Sequence, residues 1–299
     1  MAERRKKKKT KRWLKFLYLF IGFILGFVIF FGTRSPFRDT IVREVVGRNT
    51  LGNTCILLVG QDGIQPLRSD TIILACVNAD RGEVLLFSIP RDSRLNVPGY
   101  GFDKVNHAYA RGGISLLKET LEKSLGISIP YFVEVGYDGF EEVIDLLGGV
   151  EIEVEEDLRY TDRAQGLVID VPAGKQVLDG EKALQYVRYR NDKLGDIGRI
   201  QRQQKFIQAI VDEVSDLSNI TKAKEILSSI NQALVTNMNI EDMVRFLIWF
   251  DGLEEKSVEF GLMPGESAYI EGVSYWEPDL DEARELIHTF FFGRDEVEN

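Results

Sequence analysis

The chain has 299 residues, 44% of them hydrophobic and 28% charged, with a formal charge of -10. That composition fits a folded protein with a sizeable core and excludes a disordered chain. Nine of its 37 Lys and Arg, but one of its 47 Asp and Glu, fall in residues 1–15. The remainder is therefore more acidic than the whole, and such a surface repels nucleic acid.

Residues 1–15 form a basic head, with Arg4, Arg5, Lys6–Lys9, Lys11 and Arg12 in succession. Residues 16–32 carry no charge and are almost wholly apolar, near the lower end of the roughly 17–25 residues that cross a bilayer as a helix. This predicts one N-terminal transmembrane helix, and the positive-inside rule puts the head in the cytoplasm and the rest of the chain outside. A cleaved signal peptide is disfavoured because no A-x-A-like site follows the run. A nucleic-acid-binding tail is the weaker reading of a basic run that adjoins an apolar span.

Residues 33–53 read as a juxtamembrane connector and 54–299 as one extracellular domain, since no Gly/Pro/Ser linker divides it. Strands are predicted over 54–59, 71–77 and 83–89, the first two apolar nearly throughout and so buried on both faces. A helix over 115–125 ends at Gly126, a strand covers 131–135, and a helix over 137–147 ends at Gly148-Gly149. A strand over 150–154 follows. Residues 156–178 are polar and read as an irregular excursion or lid. Asp179 caps a short helix. A long helix covers about 197–217, with further helices at about 221–234 and 240–251, a strand over 257–262 and a last helix over 279–290. The alternation predicts an α/β fold, a central sheet covered by helices. Cys55 and Cys76 both fall on predicted strands, where a bridge and two buried thiols are alternatives. Two histidines, His107 and His288, make a histidine zinc site improbable.

Four arginines in an acidic chain, Arg188, Arg190, Arg199 and Arg202, point to an anion. Packed guanidinium groups repel unless an anion lies between them, and their planar fork matches phosphate. Arg188 and Arg190 share a face if Tyr189 is extended. Arg199, Arg202, Gln203 and Phe206 fall on one side of the long helix, near its positive end, where bound phosphate offsets the charge. Surface salt bridging is the plainer alternative. Asp62 and Asp70 flank strand ends and suit either Mg²⁺ or ordinary turns. Asp92, beside Arg91, reads as a general base or as an ion-pair partner. Lys104, Asn106 and Tyr109 stand in a segment that opens a helix, where Lys and Asn reach a phosphate or sugar or are simply exposed. No G-x-S-x-G elbow, P-loop or Ser/His/Asp set is present.

In order, R-S-D-T (68–71), S-I-P-R-D (88–92), K-V-N-H-A-Y (104–109), D-G-F with D-L-L-G-G-V (138–150), and L-D-G-E-K-A-L-Q-Y-V-R-Y-R with D-I-G-R-I-Q-R-Q-Q (178–204) resemble the LytR-CpsA-Psr family. The resemblance runs over roughly residues 54–215. It implies an α-β-α sandwich with a central mixed sheet outside the cytoplasmic membrane. It also implies transfer of an anionic glycopolymer from a polyprenyl-pyrophosphate carrier to peptidoglycan, usually to a muramic-acid 6-hydroxyl, with Mg²⁺ assistance. By motif, Asp62 and Asp70 would hold the metal. Arg68, Arg91, Arg188, Arg190, Arg199 and Arg202 would clamp the pyrophosphate, supported by Gln203 and Lys104, with Asn106 and Tyr109 at the substrate and Asp92 as base or orienting partner. The alternatives are a binding module for polyprenyl phosphates or wall polymers without turnover, a pyrophosphate hydrolase, and an indirect transcriptional attenuator, the role after which the family was first named.

Overall fold

A computed structural model describes residues 52–61, 69–162, 166–190, 196–215, 234–239 and 258–293, with positions 242, 245, 246 and 249. The basic head, the apolar run and nearly all of the connector lie outside the described residues. Among the described residues no helix is long and apolar enough to cross a membrane.

The chain enters the fold through β1 (Thr54–Gln61), β2 (Ser69–Asn78) and β3 (Glu83–Ser88), three consecutive antiparallel strands. β6 (Tyr131–Val135) joins β1 in parallel, and β12 (Val258–Leu262) joins β3 in parallel. With β11 (Leu234–Thr236) at one edge, the mixed sheet has the order β11-β6-β1-β2-β3-β12. Side chains alternate across the pleat, so β1 sends Cys55, Leu57 and Val59 to one face and Ile56 and Leu58 to the other.

The first face is covered by α1 (Val105–Leu125), through Leu117, Leu121 and Leu125, and by α5 (Leu280–Phe292), through Ala283, Ile287 and Phe290. The second packs against Ile207 of α4 (Asp196–Ser215) and against Phe246 and Trp249. Helices on both faces of a mixed sheet give the expected α-β-α layering. Cys55 and Cys76 are direct cross-strand partners and are joined in a disulfide inside the first core, which settles the two alternatives.

A third core lies beyond the sheet edge. It gathers α2 (Tyr137–Leu147), β7 (Val150–Val154), β8 (Leu158–Asp162), β9 (Leu167–Val171), β10 (Gly174–Leu178), α3 (Gly180–Arg188) and one side of α4. Here the sequence expectation fails: much of 156–178 is three strands, with β8 paired to β9 and β10 to β7. Leu158, Ile169, Val171 and Leu178 point inward while their neighbours are polar or exposed. The alternation is short, and the outward Arg, Asp, Lys and Gln conceal it. Gly180 lets α3 meet α2 closely, since a Cβ there would stand 2.3 Å from the Glu141 carbonyl oxygen. The predicted caps are present: Asp179 accepts from the Lys182 N–H at 2.9 Å, and Gly126 and Gly148 end their helices in the left-handed region.

Other differences are local. α1 begins at Val105, within the segment 104–109 expected to open a helix, and runs on into the helix expected over 115–125 across a break at Gly112 and Gly113. Two ribbons were not expected: β4 (Arg94–Val97) with β5 (Gly101–Lys104), and β13 (Gly265–Ile270) with β14 (Val273–Pro278). Leu234 is in a strand, so the helix expected at about 221–234 does not reach its last residue. The rest of that helix, and most of the one expected at 240–251, lie outside the described residues.

Asp103, in β5 just before α1, makes a test of stability against pH. Burial works to raise its carboxyl pKa but is outweighed by the Lys104 N–H at 2.8 Å, by His107 at 2.8 Å and by Arg111, so the net shift is downward. A lowered folded pKa stabilises the fold above the ordinary value of 3.8, and that stabilisation is lost as pH falls through the folded value. Asp103→Asn should therefore unfold more easily than the parent at pH 7, with the gap closing by pH 2 in urea titrations. A gap independent of pH would contradict this origin.

Candidate active site

β1 and β6 run in parallel and end side by side at Gln61 and Val135. Ligands gather at the carboxyl ends of such strands. A cavity of about 520 Å³ opens there, between the second face of the sheet and helices α2, α3 and α4. Its interior is apolar, with Leu58, Ile73, Val133, Phe140, Phe206 and Ile210 among its walls. Polar side chains from several segments also line it, among them Asp70, Arg91, Arg188, Arg190 and Arg199. One compartment thus combines a hydrocarbon-like interior with four guanidinium groups.

Each arginine is placed by its own element. Arg91 follows β3 and forms a charge-assisted hydrogen bond with the Asp70 carboxylate at the start of β2. Arg188 ends α3, its guanidinium 4.3 Å from the centre of the Tyr137 ring. Tyr189 is extended, with φ -62 and ψ 132, so Arg188 and Arg190 reach the same cavity while Tyr189 turns into the third core. Arg199 is 4% exposed, and its Nη2 donates to the Asp70 carbonyl at 3.3 Å. Gln203, one turn further along α4, also lines the cavity and donates to the Thr71 hydroxyl at 2.9 Å and the Val187 carbonyl at 3.3 Å.

The remaining expected residues stand elsewhere. Arg202 does not line the cavity. It is buried, and its Nη2 donates to the Tyr189 carbonyl at 2.9 Å, holding the Arg188–Arg190 segment from behind. Asp92 pairs with Lys104 at 2.8 Å rather than with Arg91, and neither lines the cavity. Asn106 is buried at the start of α1, its backbone N–H donating to the Arg91 carbonyl at 3.1 Å. Tyr109 is buried and donates to Glu134 at 2.7 Å. Asp62 and Arg68 lie outside the described residues. Arg159 pairs with Asp157 and Asp170 on the β8–β9 ribbon.

Further contributors were missed, among them Gln61, Tyr137, Tyr160, Asp162 and Leu167. Gln61 lines the cavity and donates to Glu134 at 3.3 Å, which links it to Tyr109 through one buried carboxylate. The lone Glu in the apolar run Tyr131–Val135 was the available signal, because a buried carboxylate requires hydrogen-bond partners. Tyr137, under Arg188, had no such signal. Tyr160 and Asp162 on β8, with Leu167 on β9, add a wall that the sequence had presented as irregular.

The LytR_cpsA_psr family model matches residues 34–290. The chain belongs to this family. It is 30% identical over 95% of each chain to the polyisoprenyl-teichoic acid–peptidoglycan teichoic acid transferase TagT of Bacillus subtilis (strain 168). It is 37% identical to the transferase of the same description, TagU, of Enterococcus faecalis (strain ATCC 700802 / V583), over 82% of each chain. A solved structure described as the LytR-CPS2A-psr family protein YwtF (TagT) with bound octaprenyl pyrophosphate lipid superposes with a TM-score of 0.62 at 29% identity, covering 81% of this chain and 91% of that one.

Proposed function

We propose that this protein transfers an anionic glycopolymer from a polyprenyl-pyrophosphate carrier to peptidoglycan, making a phosphodiester bond. The observation that carries the reading is the two-part cavity. Apolar walls suit a prenyl chain, and the arginines suit the pyrophosphate at its end. A soluble sugar phosphate would leave the apolar part without a role. The names of the TagT and TagU relatives, and the octaprenyl pyrophosphate in the YwtF structure, support the same substrate class.

In this reading the acceptor hydroxyl oxygen bonds to the sugar-linked phosphorus, and the bond to the bridging pyrophosphate oxygen breaks. Prenyl monophosphate leaves with that oxygen, and the hydroxyl proton passes in net balance to solvent or to the departing phosphate. Such transfer depends on positioning and charge neutralisation more than on covalent help. Arg188, Arg190 and Arg199 neutralise phosphate oxygens, Arg91 fixes Asp70, and Gln203 ties α4 to β2. Arg202 acts through Tyr189 as a positioning residue, and Asp92 acts through Lys104.

We infer that Mg²⁺ would be held at Asp70 and Asp62 with the help of substrate phosphate. Among the described residues no group of three His, Cys, Asp or Glu side chains could hold an ion by itself. Mg²⁺ commonly takes one or two carboxylates and completes its shell with water and substrate phosphate. Asp70, partly exposed on the cavity wall, is the described candidate, with Asp62 as the proposed second. When bound, the ion would offset charge on phosphate oxygens. The basic head and residues 16–32 would anchor the domain outside the membrane, within reach of a lipid carrier.

The test uses the full chain in detergent micelles with a polyprenyl-pyrophosphate-linked glycopolymer and peptidoglycan fragments, with Mg²⁺ or EDTA. Coupled product is expected with Mg²⁺ and a large loss with EDTA. Tight carrier binding without product would leave a binding module, and free sugar phosphate without coupling would leave a hydrolase.

A further inference from the structure

The ribbon of β4 and β5 projects from the chain three residues after Arg91 and has two unlike faces. Leu95 and Val97 are buried beneath it. Arg94 and Lys104 are cross-strand partners, as are Asn96 and Phe102, so these four side chains share the outer face. Phe102 is 62% exposed, with the Arg94 guanidinium 4.5 Å from its ring centre. Tyr100, 57% exposed, stands at the turn with Arg111 4.6 Å from its ring centre. The inner end of the row is Lys104, paired with Asp92, the residue next to the cavity-lining Arg91.

Charge narrows the occupant. Arg94 pairs with Glu277 at 3.4 Å, Lys104 with Asp92, and Arg111 with Asp103. The strip is rich in cations yet locally neutral, which does not suit an anionic lipid surface or a second acidic polymer. It offers exposed ring faces, each braced by a guanidinium, and the donor and acceptor of Asn96. Sugar rings present apolar C–H faces edged by hydroxyl and amide groups, and such surfaces match.

We propose that the outer face of the β4–β5 ribbon seats the acceptor as a chain of acetylated amino sugars, stacked on Phe102 and directed along Asn96, Arg94 and Lys104 towards Arg91. The proposal rests on the transferase reading above for its partner and adds where that partner binds. It gives the Asp92–Lys104 pair, which the cavity does not use, a place between the two substrates.

The experiment has two arms on the full chain in detergent micelles. In the first, a peptide-free peptidoglycan tetrasaccharide of alternating N-acetylglucosamine and N-acetylmuramic acid is titrated by calorimetry with no carrier present. In the second, transfer rates are measured with acceptor and donor varied separately. Phe102→Ala should weaken tetrasaccharide binding about tenfold and raise the acceptor KM about as much, with donor KM and kcat unchanged. Phe102→Tyr should restore both, and Tyr269→Ala, which removes an exposed aromatic on β13, should change neither. Wild-type protein that ignores the tetrasaccharide, or a Phe102→Ala loss that falls on the donor KM, overturns the proposal. So does Phe102-dependent binding to phosphatidylglycerol vesicles in place of the sugar. Because the first arm needs no turnover, Phe102-dependent sugar binding without any transfer would sink the transferase reading and leave this surface standing. Transfer with an unchanged acceptor KM in Phe102→Ala would do the reverse.

Discussion

Arg199→Ala is expected to lower kcat for glycopolymer transfer about 10²- to 10³-fold, the effect of removing one pre-organised donor from developing charge. Its position explains why it should exceed its neighbours. Arg199 is almost wholly enclosed and hydrogen-bonded to the Asp70 carbonyl, so its guanidinium is held in place before substrate arrives. A fixed charge in a site poor in water is stronger than a mobile one at the surface. Arg188 and Arg190 end a helix and begin a loop, and their loss should cost less. Arg199→Lys keeps the charge but not the planar fork, and recovery should be partial. Single-turnover rates at saturating carrier separate this from weak binding. A variant with normal kcat and only a raised KM would place Arg199 in ground-state binding and contradict a role in the transition state.

The arginines were legible because an acidic chain rarely clusters them by accident, but the split within α4 was not. Arg199, Gln203, Phe206, Ile207 and Ile210 line the cavity, and Arg202 does not. At 3.6 residues per turn Arg202 lies about 60° to one side of Arg199, whereas Gln203 lies about 40° to the other. Spacing shows that all three share half a helix. Only packing against Tyr189 and the sheet shows where the cavity wall ends. The central strands were legible from continuous apolar runs. The β4–β5 and β13–β14 ribbons were not, since they are short and several of their apolar residues face outward. Glu134 shows a further limit: its partners Gln61 and Tyr109 lie 73 and 25 residues away, the first brought in by the β1–β6 pairing and the second by α1 packed on the sheet.

Loss of the Cys55–Cys76 disulfide is expected to destabilise the fold by about 3 kcal/mol, from closure of a loop with sequence separation 21. For a domain of this size that lowers Tm by roughly 6–12 °C. The bridge joins β1 to β2, and residues 62–68 between these strands carry Asp62 and Arg68. Both sulfur-bearing residues are buried in the first core, so reduction also exposes two thiols to an apolar setting they tolerate well. The cost should therefore arise mainly in the unfolded chain, which regains the freedom of the open loop. Cys55→Ala with Cys76→Ala tests this, and the parent in reductant gives the same comparison without loss of sulfur. Both should melt early while the folded protein keeps transferase activity well below the transition, because Arg199 and Arg188 are held by α4 and α3 rather than by the bridge. An unchanged Tm would mean that the bridge adds little to strands already paired at eight positions. Loss of activity in the folded, reduced protein would show that the bridge positions the β1–β2 end of the cavity.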